Sequence, residues 1–248
     1  MHIPARHAET DPTVLRQFIR DNPLGILTTA TPDTPHPLLQ VSHIPWVLGF
    51  EDEQEENANS STTANSTKSP RLGRLRGHMT RQDPQAEALL FNLPCSSPAY
   101  LEQEVLIMFN GPAHHYITPK FYTQTKPATG KVVPTWNYSA VQVYGRARIY
   151  HDTQSENVAR FLSTQLDDLG RLEGMGILDY GATLGSLAPW QGSDAPEEYI
   201  ELFTKSLIGI EVEITSLSGR FKWSQDKPPG DRDGMIAGLQ NLGSESGL

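Results

Sequence analysis

The stretch "WNYSAVQVYGRARIY", residues 136–150, alternates with a period of two. Ser139, Val141, Val143, Gly145, Ala147 and Ile149 fall on one face, and Tyr138, Ala140, Gln142, Tyr144, Arg146 and Arg148 on the other. That is the pattern of a long strand with one buried side. Just ahead of it, "KVVPTWNY", 131–138, sets a cation, an indole, an amide and hydroxyls at the mouth of the strand.

The neighbouring segments extend a β pattern. "LGILTTA" and "LLQVSHIPWVL" read as a hairpin around "TPDTPHP", with Pro45 marking an edge or bulge. "RLGRLRGHMT" and the apolar run "VLIMF", 105–109, are further strands, and "LIGIEVEIT" is expected to form a hairpin with "GRFKWSQ". Helices are expected at "ETDPTVLRQFIRDNP", with Thr10 or Asp11 as cap and Val14, Leu15, Phe18 and Ile19 as its stripe, and at "DPQAEALLF", capped by Asp83. "SENVARFLSTQLDDLG" and "RDGMIAGLQNL" complete the helices, and residues 170–200 give no clear pattern. Six or seven strands with three or four short helices, not in regular alternation, argue against a parallel sheet. The expected architecture is a mainly β, antiparallel barrel with helices packed outside it.

One domain is expected over residues 1–248, with an insertion at 51–70. Half of that segment's twenty residues are Asn, Ser or Thr, and five acids face one Lys, so it reads as a flexible low-complexity loop. It accounts for −4 of the net charge of −9, so the remainder is acidic too. Phosphate-binding surfaces for nucleic acid are basic, so the charge argues against DNA as the main ligand. There is no apolar run of membrane-spanning length. The opening "MHIPARHAET" has no apolar signal core, which predicts an intracellular protein, cytoplasmic or nuclear. Cys95 is the single cysteine, which rules out an internal disulfide or a thiolate metal cluster.

Four stretches carry chemistry. In "RLRGHMTRQDPQ", 74–85, a strand runs into a helix, and such a turn offers free N–H groups to an anion. Arg81 adds a planar fork of donors and Thr80 a hydroxyl; the plain alternative is an ordinary loop with a surface Arg. "GPAHHYITPKFY", 111–122, reads as a Pro-anchored aromatic loop over the barrel end, and the eight histidines show no metal-ligand spacing. In "KVVPTWNY", Lys131 and Thr135 suit an anion or carbonyl, Trp136 a flat ring, and Asn137 a heterocycle edge. The alternative is a core aromatic with a polar tip. "FKWSQDKPPGDR", 221–232, repeats the theme with Trp223, Ser224, Gln225, Lys227 and Arg232. No Ser-His-Asp or paired-carboxylate arrangement supports hydrolysis. Aromatic planes, amide edges and an anion site together match a flat heterocycle with a phosphate tail, for which flavin mononucleotide (FMN) is the natural candidate.

The ordered blocks "MHIPARHAETD", "HIPW", "GHMTRQDP", "GPAHHYITPKFY", "KVVPTWNYSAVQVYGRARI", "DAPEEYI", "IGIEVEI" and "KWSQDKPPGDRDGMIAGL" resemble the PaiB-like FMN-binding proteins, a family labelled negative transcriptional regulators. The resemblance implies a Greek-key split β-barrel that dimerises with itself and holds FMN in a groove between subunits. It is similar in fold to pyridoxamine-phosphate oxidases and to haem-utilisation proteins. His78, Arg81 and Pro84 match the family's strand-to-helix turn, Thr135, Trp136 and Asn137 the strand mouth, and Ser224, Gln225 and Arg232 the C-terminal motif. With Thr80 and Lys131 from the chemical reading, these are the expected cofactor contacts. The chain departs from the family pattern GHxARANP at Thr80, Gln82 and Asp83, has Phe121 where a Trp is usual, and has Asp226-Lys227 in place of Asn-Arg. Three functions follow: an FMN-dependent oxidoreductase, a regulator acting on protein or DNA with or without flavin, and a haem-binding relative with His78, His114 or His115 as axial ligand.

Overall fold

The structure is a computed structural model that describes residues 1–49, 72–91, 93, 98–176 and 190–243. The expected insertion at 51–70 and Cys95 lie outside those residues. The chain runs through β1 (Ala8–Glu9), α1 (Pro12–Asp21), β2 (Leu24–Ala30), β3 (Leu39–Pro45), β4 (Val47–Gly49) and β5 (Arg74–Thr80). It continues through α2 (Pro84–Phe91), β6 (Ala99–Tyr100), β7 (Val105–Ile117), α3 (Thr125–Thr129) and β8 (Thr135–Tyr150). It closes with α4 (Glu156–Gly176), α5 (Glu197–Lys205), β9 (Leu207–Lys222) and α6 (Pro229–Leu242).

The fold is the expected mainly β, antiparallel class with added helices. The strands hydrogen-bond in the order β3-β2-β7-β8-β9-β5-β4, with β1 on β9 and β6 on β8. Every pair of defined register is antiparallel, from Leu24 opposite Pro45 in the β2–β3 hairpin to His78 opposite Gly209 in the β5–β9 pair. The alternation of β8 holds in its second half, where Val143 and Ile149 are fully buried and Tyr144 and Arg146 exposed; in the first half Ala140 and Gln142 are buried along with Val141, so both faces are covered there.

Two expected boundaries fail. The run 105–109 does not end in a loop, because β7 continues through the His-rich segment to Ile117. "LIGIEVEIT" and "GRFKWSQ" do not form a hairpin, because β9 is one strand of 16 residues. Between Ser216 and Gly219 there is no Pro and no left-handed residue to reverse the chain. β9 pairs with β5 over its first half and with β1 at Gly219 and Arg220.

The chain divides into two compact units. One comprises Met1–Asn22, Met108–Gln142 and Leu217–Leu248, and the other Pro23–Ile107 and Val143–Ser216. In the first, α1 is capped by Asp11, whose carboxylate accepts from Thr13 N at 2.8 Å. Leu15 and Ile19 are buried, but Val14 is 39 % exposed, so the helix buries a narrower stripe than its sequence suggests. Gly219 makes that packing feasible, since a Cβ there would stand 2.4 Å from Leu15 Cδ2. A small core of Ile117, Tyr122, Met235 and Leu239 lies under α6. In the second unit, Phe161 of α4 stacks on Tyr150 with ring centroids 3.9 Å apart, beside Val158, Leu162 and Leu207. Gly209 leaves the room, because its Cβ would fall 2.4 Å from the Phe161 ring.

Candidate functional site

In the first unit, the exposed side of β7 carries Asn110, Pro112, His114 and Tyr116. The strand period alone dictates that alternation, so His114 and His115 point to opposite faces. The mouth of β8 adds Trp136, 53 % exposed. His114 and Tyr116 flank the indole, with centroids 5.9 and 6.2 Å away. A cavity of about 510 Å³ is lined here by Asn110, Gly111, Pro112, His114, Trp136, Tyr138 and Ser139. It is a shallow aromatic groove with few polar atoms.

The polar residues of the mouth are organised behind these rings. Lys222, at the end of β9, donates from Nζ to Trp136 O at 2.7 Å and to Thr135 Oγ1. Burial, then the nearby Arg220, pull its ammonium below the ordinary lysine range. Arg220 lies 5.4 Å from the Tyr138 ring centre. Asn137 is only 8 % exposed, and its Oδ1 accepts from Ser224 Oγ at 2.9 Å. Ser224 is buried and adopts a left-handed backbone, φ 60°. Gln225 Oε1 accepts from Trp223 N at 2.8 Å, and its Nε2 donates to Arg6 O and Phe221 O. Lys131 and Arg232 are both exposed.

A buried carboxylate supports the loop that leads to the mouth. Asp231, in the first turn of α6, is fully buried. It accepts from Gln124 N at 2.8 Å, Thr125 N at 2.9 Å and the Thr125 hydroxyl. Burial raises its pKa, but these donors prevail and hold the carboxyl below the ordinary range.

In the second unit, the strand-to-helix turn has a different character. Thr80 is exposed at the end of β5. Arg81 donates from Nε to Lys205 O at 3.1 Å, from Nη2 to His151 O, and from its backbone N to Ser206 O at 2.9 Å. Burial lowers its pKa, against the opposing pull of Asp152. The start of α2 has its own acceptor, since Asp83 Oδ1 takes the Gln85 N–H at 2.8 Å. His78 has a buried Nδ1 without a hydrogen-bond partner, and burial holds its imidazole below the usual range.

Six of the ten residues picked from the sequence therefore fall in the mouth and its C-terminal flank: Thr135, Trp136, Asn137, Ser224, Gln225 and, on the adjoining loop, Lys131. Arg232 follows Asp231 on α6, and His78, Thr80 and Arg81 belong to the other unit. Lys222 was missed. Its signal was the β9 alternation, which puts Arg220 and Lys222 on one face two residues before Ser224.

Residues 1–216 match the family described as "Putative FMN-binding domain". The chain belongs to that family. An uncharacterized protein of Aspergillus fumigatus is 52 % identical to it over 256 residues, covering 100 % of this chain and 94 % of the relative. The "Protease synthase and sporulation protein PAI 2" of Bacillus subtilis is 24 % identical over 241 residues, covering 97 % and 90 %. Among solved structures, a conserved hypothetical protein of Mycobacterium tuberculosis is similar over 92 % of this chain and 94 % of its own, with a TM-score of 0.46 and 10 % identity. Among the described residues no helix is long and apolar enough to cross a membrane.

Proposed function

We propose that this member of the FMN-binding family holds a flavin, FMN, at the mouth of β8 and acts as an oxidoreductase. The observation that carries the reading is the half-exposed Trp136 between His114 and Tyr116, with the Lys222 ammonium fixed beside it. A flat heteroaromatic ring needs apolar planes and a few fixed donors, and this donor set fits one. Trp136 would cover a ring face, Lys222 would present its remaining N–H and positive charge, and Ser224 with Asn137 would fix the backbone beneath. When bound, a flavin supplies hydride and electron transfer; the protein supplies position and electrostatics. Lys131 and Arg232, exposed in the same unit, are further candidates for the phosphate.

The reading includes a homodimer. A groove this shallow covers one face of a ring, and a second copy related by a two-fold axis would cover the other. A regulatory binding role is the second reading, supported by the sporulation-linked name of the Bacillus relative. The acidic net charge of −9 disfavours DNA as its target.

Titration of the purified protein with FMN and riboflavin, followed by sedimentation and an NADH or NADPH oxidation assay, tests the proposal. Quenched flavin fluorescence, a species of twice 27.5 kDa and flavin-dependent oxidation are expected. Failure to bind either flavin at micromolar concentration overturns the cofactor. Binding without turnover leaves the regulatory reading.

A further inference from the structure

We infer that Arg146 and Arg148, gathered around Tyr100, form a binding site for a small phosphate monoester. The two arginines are two residues apart on β8 and so share a face. Tyr100 of β6 stands directly opposite Arg148 in the register. The guanidinium carbons of Arg146 and Arg148 lie 5.1 and 5.5 Å from the centre of the Tyr100 ring. Arg148 also lies 5.4 Å from the Tyr150 ring. Two cations thus crowd one phenol, which itself remains 46 % exposed.

Two arginines of β5, two strands away in the sheet, show how this protein neutralises a cation. Arg76 meets Asp168 at 2.5 Å, and Arg74 meets Glu211 at 3.6 Å. Among the described residues neither Arg146 nor Arg148 makes an ion pair, in a chain with nine more acids than bases. Arg148 Nε is moreover buried with no hydrogen-bond partner. Two like charges set against one ring repel one another, and an anion shared between them relieves that repulsion. Ring contacts fix both forks in advance, and a planar fork suits the oxygens of phosphate. Two adjacent forks favour a dianion over a single carboxylate.

The organic part of the ester has a place as well. Tyr100 borders a cavity of about 130 Å³ lined by Thr29, Thr31, Leu89, Leu101 and Val105 among others. Apolar side chains share its lining with polar ones, including Glu102, Gln103 and Glu104, so the anionic end of an ester belongs at the arginines and not in the cavity. Another polar group there is Thr31, 8 % exposed, whose hydroxyl has no hydrogen-bond partner. The cavity takes a group about the size of a benzene ring bearing one polar atom, and excludes a three-ring system.

Calorimetric titration of the full chain with inorganic phosphate, phenyl phosphate, FMN and riboflavin tests this in wild type, Arg146→Met, Arg148→Met and Arg148→Lys. We expect phenyl phosphate to bind more tightly than inorganic phosphate, and each methionine variant to weaken both by about ten-fold. Arg148→Lys keeps the charge but loses the fork, and should recover only part of the affinity. Arg146 is exposed, so Arg146→Met keeps the test valid if Arg148→Met fails to fold. Weakened FMN with unchanged riboflavin would identify the flavin's own tail as an ester that the site accepts. Unchanged binding of both flavins beside lost phenyl phosphate would identify a separate ester. Phenyl phosphate that ignores the wild-type protein, or binds Arg146→Met as well as wild type, overturns the site.

Discussion

At the turn between β5 and α2, Arg81 gives Nε to Lys205 O and Nη2 to His151 O. At the mouth of β8, Lys222 gives its ammonium to Trp136 O and Thr135 Oγ1, yet the indole beside it stays 53 % exposed. Both regions carry a cation, a hydroxyl and an amide at a strand end. They differ in what remains after the backbone has been satisfied. The turn's helix is already capped by Asp83, and an anion there would compete with carbonyls for the Arg81 fork. The mouth leaves three rings and a groove open. Residue type alone does not mark a ligand site; the capacity left over once internal partners are served does.

The largest effect should come from the buried support of the mouth. Asp231→Ala removes the acceptor for two N–H groups and a hydroxyl at a fully buried position. We expect a loss of about 3 kcal/mol by urea denaturation, with Asp231→Asn milder because it keeps one acceptor. The folded carboxyl is held below its ordinary value, so its contribution is present above about pH 3.9 and is lost as pH falls through the folded pKa. The wild type should therefore lose stability in that acid window and Asp231→Asn should not show this component.

Arg81→Ala should cost about 2 kcal/mol, because two carbonyls lose a charged donor. If the guanidinium is a scaffold tie, the ratio of FMN to riboflavin affinity stays at its wild-type value. A ratio that collapses would make Arg81 a phosphate anchor too, and the contrast with the mouth would weaken. A pH profile sharpens the point. Burial, joined at His151 by Arg81, holds His78 and His151 below the usual imidazole range. Both favour the folded state above about pH 6.5, and that contribution fades as pH falls through the folded values. Removing Arg81 should reduce the His151 part of this acid sensitivity.

Much of the fold was legible because periodicity reports burial. The buried face of the strand read at 136–150, the Asp11 cap and the Asp83–Pro84 helix start appear as read. The failures share a cause: strand pairing overrides the local preference of Gly and Pro for turns. Gly111 and Pro112 suggested a loop, and Gly219 a turn, but both lie in strands whose partners hold them extended. In the site, Trp136 and Ser224 stood out by type. Lys222 did not, since its place beside Trp136 arises from the β8–β9 neighbourhood, which single-chain spacing does not encode. Nor does sequence reveal that Asn137 faces inward, where Ser224 takes up its oxygen.

Ser224 gives a smaller, separable effect. Ser224→Ala keeps the left-handed backbone and deletes only the bond to Asn137 Oδ1, so it should cost about 1 kcal/mol. Ser224→Gly loses the same bond but relieves φ 60°, and should be the more stable of the two by a similar amount. The order of the two melting temperatures decides it. Alanine equal to or above glycine would mean that the backbone there is not strained.

The smallest change in stability, and the most informative for binding, belongs to Trp136→Ala. A side chain half in water contributes little to the core, so unfolding should shift by no more than about 0.5–1 kcal/mol. Ring contact does not depend on phosphate. FMN and riboflavin should therefore weaken together, by about ten-fold for the loss of one aromatic face, and the fluorescence of bound flavin should change. Trp136→Phe should restore part of the affinity, since it returns a smaller plane. Arg81→Ala supplies the counter-case: stability falls while flavin affinity holds. If Trp136→Ala unfolds the protein and leaves flavin affinity in the folded fraction untouched, the indole is a support like Arg81, and the open groove at the mouth of β8 is not where the ring binds.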